Sequence, residues 1–209
     1  MRISHERRNV ELKARDPDPG RSLAACAALG AEDAGVLAQR DTYFHAARGR
    51  LKLREEEGAP ALLIAYARAD AAAARESAYR LVGVPRPGEL REALAATLGV
   101  AAVVAKRRHL HLWRNVRIHL DEVEGLGSFV ELEAVVASGS DLARERELVR
   151  QLRERLAIEE ASLVAESYCD LVAAGSQAGA GPGGGGAGGS PRSGGGATAG
   201  SPLTAVRRK

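Results

Sequence analysis

The sequence predicts an α+β fold in which amphipathic helices pack on a mainly antiparallel sheet of eight strands. Four segments carry a charge on about every second residue, as in the first strand, where Glu11, Lys13 and Arg15 alternate with Val10, Leu12 and Ala14. Successive side chains of a β-strand point to opposite faces, so each of these segments has one apolar face and one charged face. The helical segments have an apolar stripe that needs a surface to pack on, and the apolar strand faces supply one.

The strands are predicted from alternation bounded by turn-forming residues. They fall near residues 8–15, 35–45, 50–56, 61–69, 76–82, 101–113, 115–123 and 127–137. Gly125 and Gly127 lie between the last two segments and predict a hairpin turn there. No glycine-rich phosphate loop occurs in this part of the chain.

Helices are predicted in four places. The first, 21–29, follows the turn-forming residues 16–20, and the second, 87–98, stops at Gly99. The third, 141–156, has Ser140 or Asp141 available as N-cap. Its apolar stripe consists of Leu142, Val149, Leu152 and Leu156. A last helical turn or two is predicted within 159–171.

The alternation leaves two interpretations of the charged face open. In the first, the sheet is open and its charged face is solvated, as in most antiparallel sheets with this pattern. In the second, the sheet curls with the charged face inward, and helices cover the apolar outside. The interior would then be a wet, polar bore instead of an apolar core.

The chain divides into a folded part and a tail. Residues 175–200 contain 13 of the 24 glycines and are otherwise mainly Ala, Ser and Pro. Such a segment buries too little apolar surface to offset the entropy lost on ordering. We therefore expect one domain over residues 5–172 and a disordered Gly/Ala/Ser/Pro-rich tail over 174–209.

Composition argues against several functional classes. A net charge of +3 suits a locally held anion better than a nucleic acid bound along a basic stripe, and an aromatic content of 3% argues against a base-stacking sheet. No apolar run reaches the length of a membrane span, and no leader segment is evident. Cys26 and Cys169 form no CxxC pair and are expected to be plain thiols. These features predict a cytoplasmic protein that binds neither membrane nor nucleic acid.

The order of several motifs resembles the CYTH superfamily, the triphosphate tunnel metalloenzymes, and is most similar to its class IV adenylate cyclase-like members. The first strand is similar to the Glu-x-Glu-x-Lys signature of that family, with Asn9 at the position of the first Glu. The other matching segments are Gln39-x-Asp41-x-Tyr43-Phe44, Leu51-x-Leu53-Arg54, Leu63-Ile64-x-Tyr66-x-Arg68, Lys106-x-Arg108, residues 118–133, and Ser167-Tyr168-Cys169-Asp170-Leu171.

This resemblance favours the second interpretation, an eight-stranded antiparallel tunnel with a charged interior. It implies a bore that binds a small-molecule triphosphate (ATP, thiamine triphosphate or inorganic triphosphate) together with Mg²⁺ or Mn²⁺. The implied metal ligands are Glu11, Asp121, Glu131 and Glu133, and the implied catalytic residues are Glu11, Lys13, Asp121 and Glu131. The implied substrate-binding residues are Lys13, Arg15, Lys52, Arg54, Arg68, Lys106, Arg108 and Arg117. Family members often form homodimers, which is a further expectation.

The resemblance leaves three functions open. The first is a class IV cyclase, which converts ATP to cyclic AMP and pyrophosphate. The second is a triphosphatase, in which water attacks a terminal phosphorus. The third is a non-catalytic polyphosphate-binding module, which Asn9 motivates because an amide brings no negative charge to a cation.

Two sets of histidines lie on opposite faces of the predicted sheet. His119 shares the charged face with Arg117 and Asp121, where we expect it to line the bore. His109 and His111 lie two residues apart on the other face. Packing there is favoured over metal binding, although a pair at this spacing could bind an ion together.

Overall fold

Eight strands form a closed, fully antiparallel barrel in the computed structural model, which describes residues 7–178. The strands are β1 (Arg7–Arg15), β2 (Glu32–Phe44), β3 (Arg50–Glu56), β4 (Ala61–Arg68), β5 (Arg75–Val84), β6 (Val100–Trp113), β7 (Val116–Val123) and β8 (Gly127–Val135). Their order around the barrel is β1-β5-β4-β3-β2-β6-β7-β8, so β1 pairs with both β5 and β8 and closes the sheet. The predicted α+β class and the eight strands are confirmed.

Within residues 7–178, four α-helices and one 3₁₀ turn accompany the barrel. They are α1 (Pro19–Ala28), α2 (Pro87–Leu98), α3 (Ala143–Arg155), the 3₁₀ turn Glu160–Ser162 and α4 (Tyr168–Ala178). The carboxylate of Asp18 accepts a hydrogen bond from the backbone N–H of Arg21 and caps α1. The predicted N-cap of α3, Ser140 or Asp141, is wrong: the cap position is Leu142, and it has no side-chain capping hydrogen bond. The carboxylate of Asp141 accepts a hydrogen bond from the N–H of Ala143 just before the first turn.

The apolar strand faces lie outside, under the helices. Val10, Leu12, Ile118 and Leu132 are buried in one cluster with the predicted stripe of α3, which includes Val149. A second apolar cluster, which joins Tyr43, Val104 and Phe129 to Tyr168 of α4, lies instead on the inward side of the strands, where Tyr43 and Tyr168 line the interior. Because the apolar faces are turned outward and covered, the charged faces point into the barrel. The interpretation as a tunnel with a polar interior is therefore confirmed.

Most boundaries lie within two residues of the predicted ones, and two differ by more. β2 begins at Glu32, three residues early, because its pairing with β6 continues past an irregularity between Asp33 and Val36 that interrupts the alternation. α4 continues to Ala178, so residues 174–178, which were assigned to the tail, are helical. The rest of the predicted tail, 179–209, lies outside the described residues. Among the described residues, no helix combines the length and apolar character needed to cross a membrane.

Candidate active site in the barrel interior

A cavity of about 190 Å³ lies inside the barrel and brings most of the predicted site residues together. Ten of them line it: Glu11, Lys13, Lys52, Arg54, Arg68, Lys106, Arg108, Arg117, Glu131 and Glu133. They come from β1, β3, β4, β6, β7 and β8. Each lies on the charged face that its parity, meaning its odd or even position in the strand, predicts. Convergence of distant strands on one cavity is what barrel closure adds to the local alternation.

The acidic side of the cavity is formed by β7 and β8. Potential ligand atoms of His119, Glu131 and Glu133 all lie within 4.8 Å of one another. Burial would raise the pKa of Glu131, but the charge of Lys13, the imidazole of His119 at 3.7 Å and the charge of Arg108 outweigh it and hold this pKa well below 4.5. Burial and the neighbouring Arg108 lower the pKa of His119, which keeps its imidazole neutral and able to offer a lone pair.

Glu11 faces this cluster from β1. Its carboxylate accepts hydrogen bonds from Arg68 at 2.9 Å and from Arg75 at 3.3 Å. Burial raises its pKa to about 7; the charges of Glu133 and Glu131 act in the same direction, and that of Arg68 opposes them. Three carboxylates therefore lie close enough to repel one another, which a bound cation would relieve.

Arg108 and Asp121 form a bidentate ion pair in the interior. Arg108 donates through Nε to Asp121 Oδ1 at 2.6 Å and through Nη2 to Asp121 Oδ2 and to Glu131 Oε2. The hydroxyl of Tyr168 also donates to Asp121 at 3.0 Å. Burial opposes ionisation of Asp121, but Arg108 and Lys106 lower its pKa to about 2. Asp121 thus lies behind the cavity wall with its oxygens engaged, outside the cluster of potential metal ligands.

Asp41 is a central residue to which the sequence reasoning assigned no role. Its side chain is fully buried and accepts hydrogen bonds from Arg54 at 2.8 and 3.0 Å and from Lys52 at 2.8 Å. Lys106 Nζ lies 3.8 Å away. Asp41 holds these three cations around the cavity. The parity of β2 and the matching segment Gln39-x-Asp41-x-Tyr43 were the available signals.

The three lysines are held in a crowded cationic environment. Burial lowers the pKa of Lys13 and Lys106, and burial with the charge of Arg54 lowers that of Lys52 to about 7 against the pull of Asp41. The ring of Tyr168, which the sequence reasoning also left without a role, lies 3.7 Å from Lys13 Nζ and 4.9 Å from Lys106 Nζ. A negatively charged ligand would favour the protonated form of all three lysines.

Two further predicted residues lie at the margin of the site. Arg15 is exposed at the end of β1, where it stacks on the ring of Phe129 and donates to the carbonyl of Leu126 at 3.3 Å. It does not reach the cavity, so its assignment as a substrate-binding residue is not supported by the geometry. Arg117 does line the cavity, with its Nε 3.7 Å from Glu133.

The residues present fit a divalent cation. Carboxylate oxygens of Glu11, Glu131 and Glu133 are the hard donors that Mg²⁺ and Mn²⁺ prefer. Asn9 lines the same cavity and is 4% exposed, yet its Oδ1 has no hydrogen-bond partner. A buried acceptor left without a partner is costly, so this atom is available to a bound group or to the water around one.

Comparison with known proteins agrees with this architecture. A family model described as the CYTH domain matches residues 7–168. No curated protein sequence gives a significant match.

Several solved structures have the same fold. The PH1012 protein of Pyrococcus horikoshii has a TM-score of 0.71 at 23% identity, covering 78% of this chain and 99% of its own. A putative adenylate cyclase of Vibrio parahaemolyticus has a TM-score of 0.62 at 22% identity, covering 78% of this chain and 96% of its own. A putative adenylyl cyclase of Hippeastrum is described as having a dominant triphosphatase activity. It has a TM-score of 0.59 at 15% identity, covering 81% of this chain and 96% of its own. Because the family model matches most of the chain, this protein, with its closed barrel and charged bore, is a member of the CYTH domain family.

Proposed function

We propose that this protein is a divalent-metal-dependent enzyme that acts on an organic triphosphate, and that the reaction is the class IV adenylate cyclase type, ATP to cyclic AMP and pyrophosphate. The observation that carries the proposal is the charge of the cavity. Among the described residues, seven cationic side chains and three carboxylates line it. Cations outnumber carboxylates even when the buried Asp41 and Asp121 behind the wall are counted.

A triphosphate matches this distribution of charge. It carries about four negative charges, and arginine forks can each bind two of its oxygens while lysines act as point charges. Arg108, which pairs with Glu131 at 2.6 Å, would reach the phosphates from beside the carboxylates. Lys52, Arg54 and Lys106 would hold the phosphates on one side of the cavity. Glu11, Glu131 and Glu133 would hold Mg²⁺ or Mn²⁺ on the other. When bound, this ion neutralises phosphate charge and helps to orient the chain of phosphates.

An apolar part of the lining favours an organic triphosphate. Leu62 and Ile64 of β4 and Leu81 of β5 face the cavity beside Tyr66 and Tyr79. Inorganic triphosphate has no group that gains from such a surface, whereas a base and sugar would bury apolar area against it. This wall supports ATP or another organic triphosphate over the inorganic one.

In the cyclase reaction, the ribose 3′ oxygen forms a bond to the α-phosphorus, and the bond from that phosphorus to pyrophosphate breaks. The 3′ hydroxyl loses its proton to a base. The protein contributes mainly position and charge, because phosphoryl transfer needs little covalent assistance. Lys13, Arg68 and Arg108 line the cavity, and their proposed role is to stabilise the negative charge that develops in the transition state.

A triphosphatase is the second candidate, and one observation favours it. The same cationic lining would orient a terminal phosphorus toward water equally well, because nothing in the charge pattern distinguishes the two ends of the triphosphate. The Hippeastrum protein, whose fold is the same, is described as a putative adenylyl cyclase with a dominant triphosphatase activity. Hydrolysis of thiamine triphosphate, a nucleotide or inorganic triphosphate is therefore the alternative reaction.

Product identification tests the proposal. Purified protein is incubated with Mg²⁺ or Mn²⁺ and, separately, ATP, thiamine triphosphate and tripolyphosphate. We expect cyclic AMP and pyrophosphate from ATP. Orthophosphate release would identify the triphosphatase instead. Binding of all three ligands without any turnover would identify a polyphosphate-binding module and reject both enzymatic functions.

The apolar wall gives a separate prediction. Leu81→Ser is expected to raise KM for ATP roughly tenfold, since an apolar side chain buried against a ligand contributes about 1.5 kcal/mol or more. The dissociation constant of tripolyphosphate, measured by calorimetry, should stay within about twofold. Val82→Ser is the matched control, because Val82 is exposed and points away from the cavity. Equal losses of ATP and tripolyphosphate affinity in Leu81→Ser would contradict a base-binding wall.

A further inference from the structure

A second cluster of potential metal ligands lies on the outer face of the barrel, away from the cavity. It consists of Asp33 on β2 and of His109 and His111 on β6, and one ligand atom from each lies within 4.8 Å of the others. None of the three lines the interior cavity. The proposed function therefore makes no use of them.

The strand geometry explains why the three side chains meet. His109 and His111 are two residues apart on β6, so both point to the same face. Asp33 lies opposite His111, whereas Val36 lies opposite His109, so β2 has one extra residue between them. The extra residue is a β-bulge, and Gly35 within it has φ +90°. The bulge re-aims Asp33, whose Oδ1 accepts a hydrogen bond from Gly35 N–H at 2.8 Å.

His109 has partners in this arrangement. Its Nε2 lies 2.7 Å from Asp33 Oδ1, and its ring packs on the ring of His111 with 4.3 Å between centroids. A hydrogen bond to a carboxylate together with ring packing accounts for this residue without any ion.

His111 has no such explanation. Its side chain is 3% exposed, and neither Nδ1 nor Nε2 has a hydrogen-bond partner. A neutral imidazole has one donor and one acceptor, and burying both unpaired is costly. A buried ring nitrogen that lacks a partner and lies beside a second imidazole and a carboxylate is the arrangement expected of a metal ligand.

We propose that Asp33, His109 and His111 form a site for a borderline transition-metal ion, with Zn²⁺ as the best-fitting one. Two imidazoles and one carboxylate are a donor set that Zn²⁺ accepts in tetrahedral geometry, with water in the fourth position. Tetrahedral bonds of about 2.1 Å place donors about 3.4 Å apart, which small side-chain rotations from the present separations provide. The Asp33 side chain is 59% exposed and gives the ion a route from solvent.

The site would tie β2 to β6 on the outside of the barrel. An ion that binds only the folded state stabilises it in proportion to the logarithm of its free concentration over Kd. A structural role for the ion is therefore expected, with no direct effect on chemistry in the cavity.

The test measures metal binding by the full-length protein after chelator treatment and removal of the chelator. Zn²⁺ is titrated by calorimetry in the presence of excess Mg²⁺, and Co²⁺ is added separately to record visible d–d absorption. His119, Glu131 and Glu133 could also take Zn²⁺, so the same titrations are made on Glu133→Gln. One equivalent bound with tetrahedral Co²⁺ bands, retained in Glu133→Gln, is the expected result.

Variants of the outer cluster identify the ligands. Asp33→Asn and His109→Gln should each raise Kd for Zn²⁺ at least about tenfold, since replacing even the groups that support a metal ligand costs that much. In both variants, the rise in thermal midpoint that Zn²⁺ causes in the unchanged protein should disappear. Glu32→Gln, a neighbouring exposed acid outside the cluster, is the control and should bind as the unchanged protein does.

Three outcomes would overturn the proposal. They are the absence of Zn²⁺ binding, unchanged Kd in both Asp33→Asn and His109→Gln, and loss of all Zn²⁺ binding in Glu133→Gln. These outcomes are independent of turnover, so failure of the proposed enzymatic function leaves the zinc test unaffected. His111 is left unchanged because its burial makes misfolding a confounding result.

Discussion

Glu131→Gln is expected to lower kcat/KM for the triphosphate substrate about 10²–10³-fold while leaving the barrel folded, a loss of the size seen when one preorganised electrostatic group is removed. Glutamine keeps the shape of the side chain but lacks the charge that would hold Mg²⁺ or Mn²⁺ beside Glu133. Arg108 and Lys13 each lose an ion pair with Glu131 in the variant, but Arg108 keeps its bidentate partner Asp121. The measurement is steady-state turnover at several metal concentrations, with the thermal midpoint as the test of folding.

Glu122→Gln provides the matched control for this experiment. Glu122 is on the same hairpin as Glu131, but its side chain is 71% exposed and only loosely paired with Arg107 at 3.9 Å. We expect its turnover and thermal midpoint to equal those of the unchanged protein. Wild-type turnover in Glu131→Gln would reject a role for this carboxylate in metal binding or catalysis.

Much of the fold follows from local alternation, because a period of two is set within each strand. The inward position of Glu11, Lys106 and Glu131 could be predicted in this way before any partner strand was known. Closure of the barrel could not, since it depends on β1 pairing with both β5 and β8, which are far away in sequence. For that reason the pattern alone left a solvated sheet and a tunnel both open, and the family resemblance was needed to choose.

The parity of a residue does not predict its role at the end of a strand, or where that role depends on residues of neighbouring strands. Arg15 is two residues from Lys13 and shares its inward face, but β1 ends there, and the exposed side chain contacts Phe129 and Leu126 without lining the cavity. Asp41 has the correct parity, but its importance depends on register: it lies opposite Arg54 on β3, and β6 brings Lys106 near it from the other side. Single-strand patterns contain neither fact.

That register is the basis of the last prediction, that Asp41→Asn lowers the free energy of unfolding at pH 7 by about 3–5 kcal/mol. The carboxylate is fully buried and faces Lys52, Arg54 and Lys106. Asparagine offers one acceptor oxygen and turns an N–H₂ donor toward cations. The three cations then lack a compensating charge in a buried place, which costs more than the loss of a hydrogen bond. Urea unfolding measures the difference.

The effect should depend on pH in a defined direction. Burial opposes ionisation of Asp41, but the charges of Arg54, Lys52 and Lys106 outweigh it and hold its pKa well below 3.8 in the folded protein. A carboxyl whose pKa is lower in the folded state contributes stability above its ordinary pKa and loses that contribution as the pH falls toward the folded value. The difference in free energy of unfolding between the unchanged protein and Asp41→Asn should therefore be largest near neutral pH and become smaller below about pH 4.

A polyanion should rescue the variant. Lys52, Arg54 and Lys106 line the cavity, so tripolyphosphate can supply the negative charge that Asp41→Asn removes. The rise in thermal midpoint with tripolyphosphate is expected to be larger in the variant than in the unchanged protein. Asp70→Asn is the control: Asp70 pairs with Arg50 but is 50% exposed, and its loss should cost less than about 1 kcal/mol. Equal stability of Asp41→Asn and the unchanged protein at pH 7 would show that the cations around the cavity do not need this carboxylate.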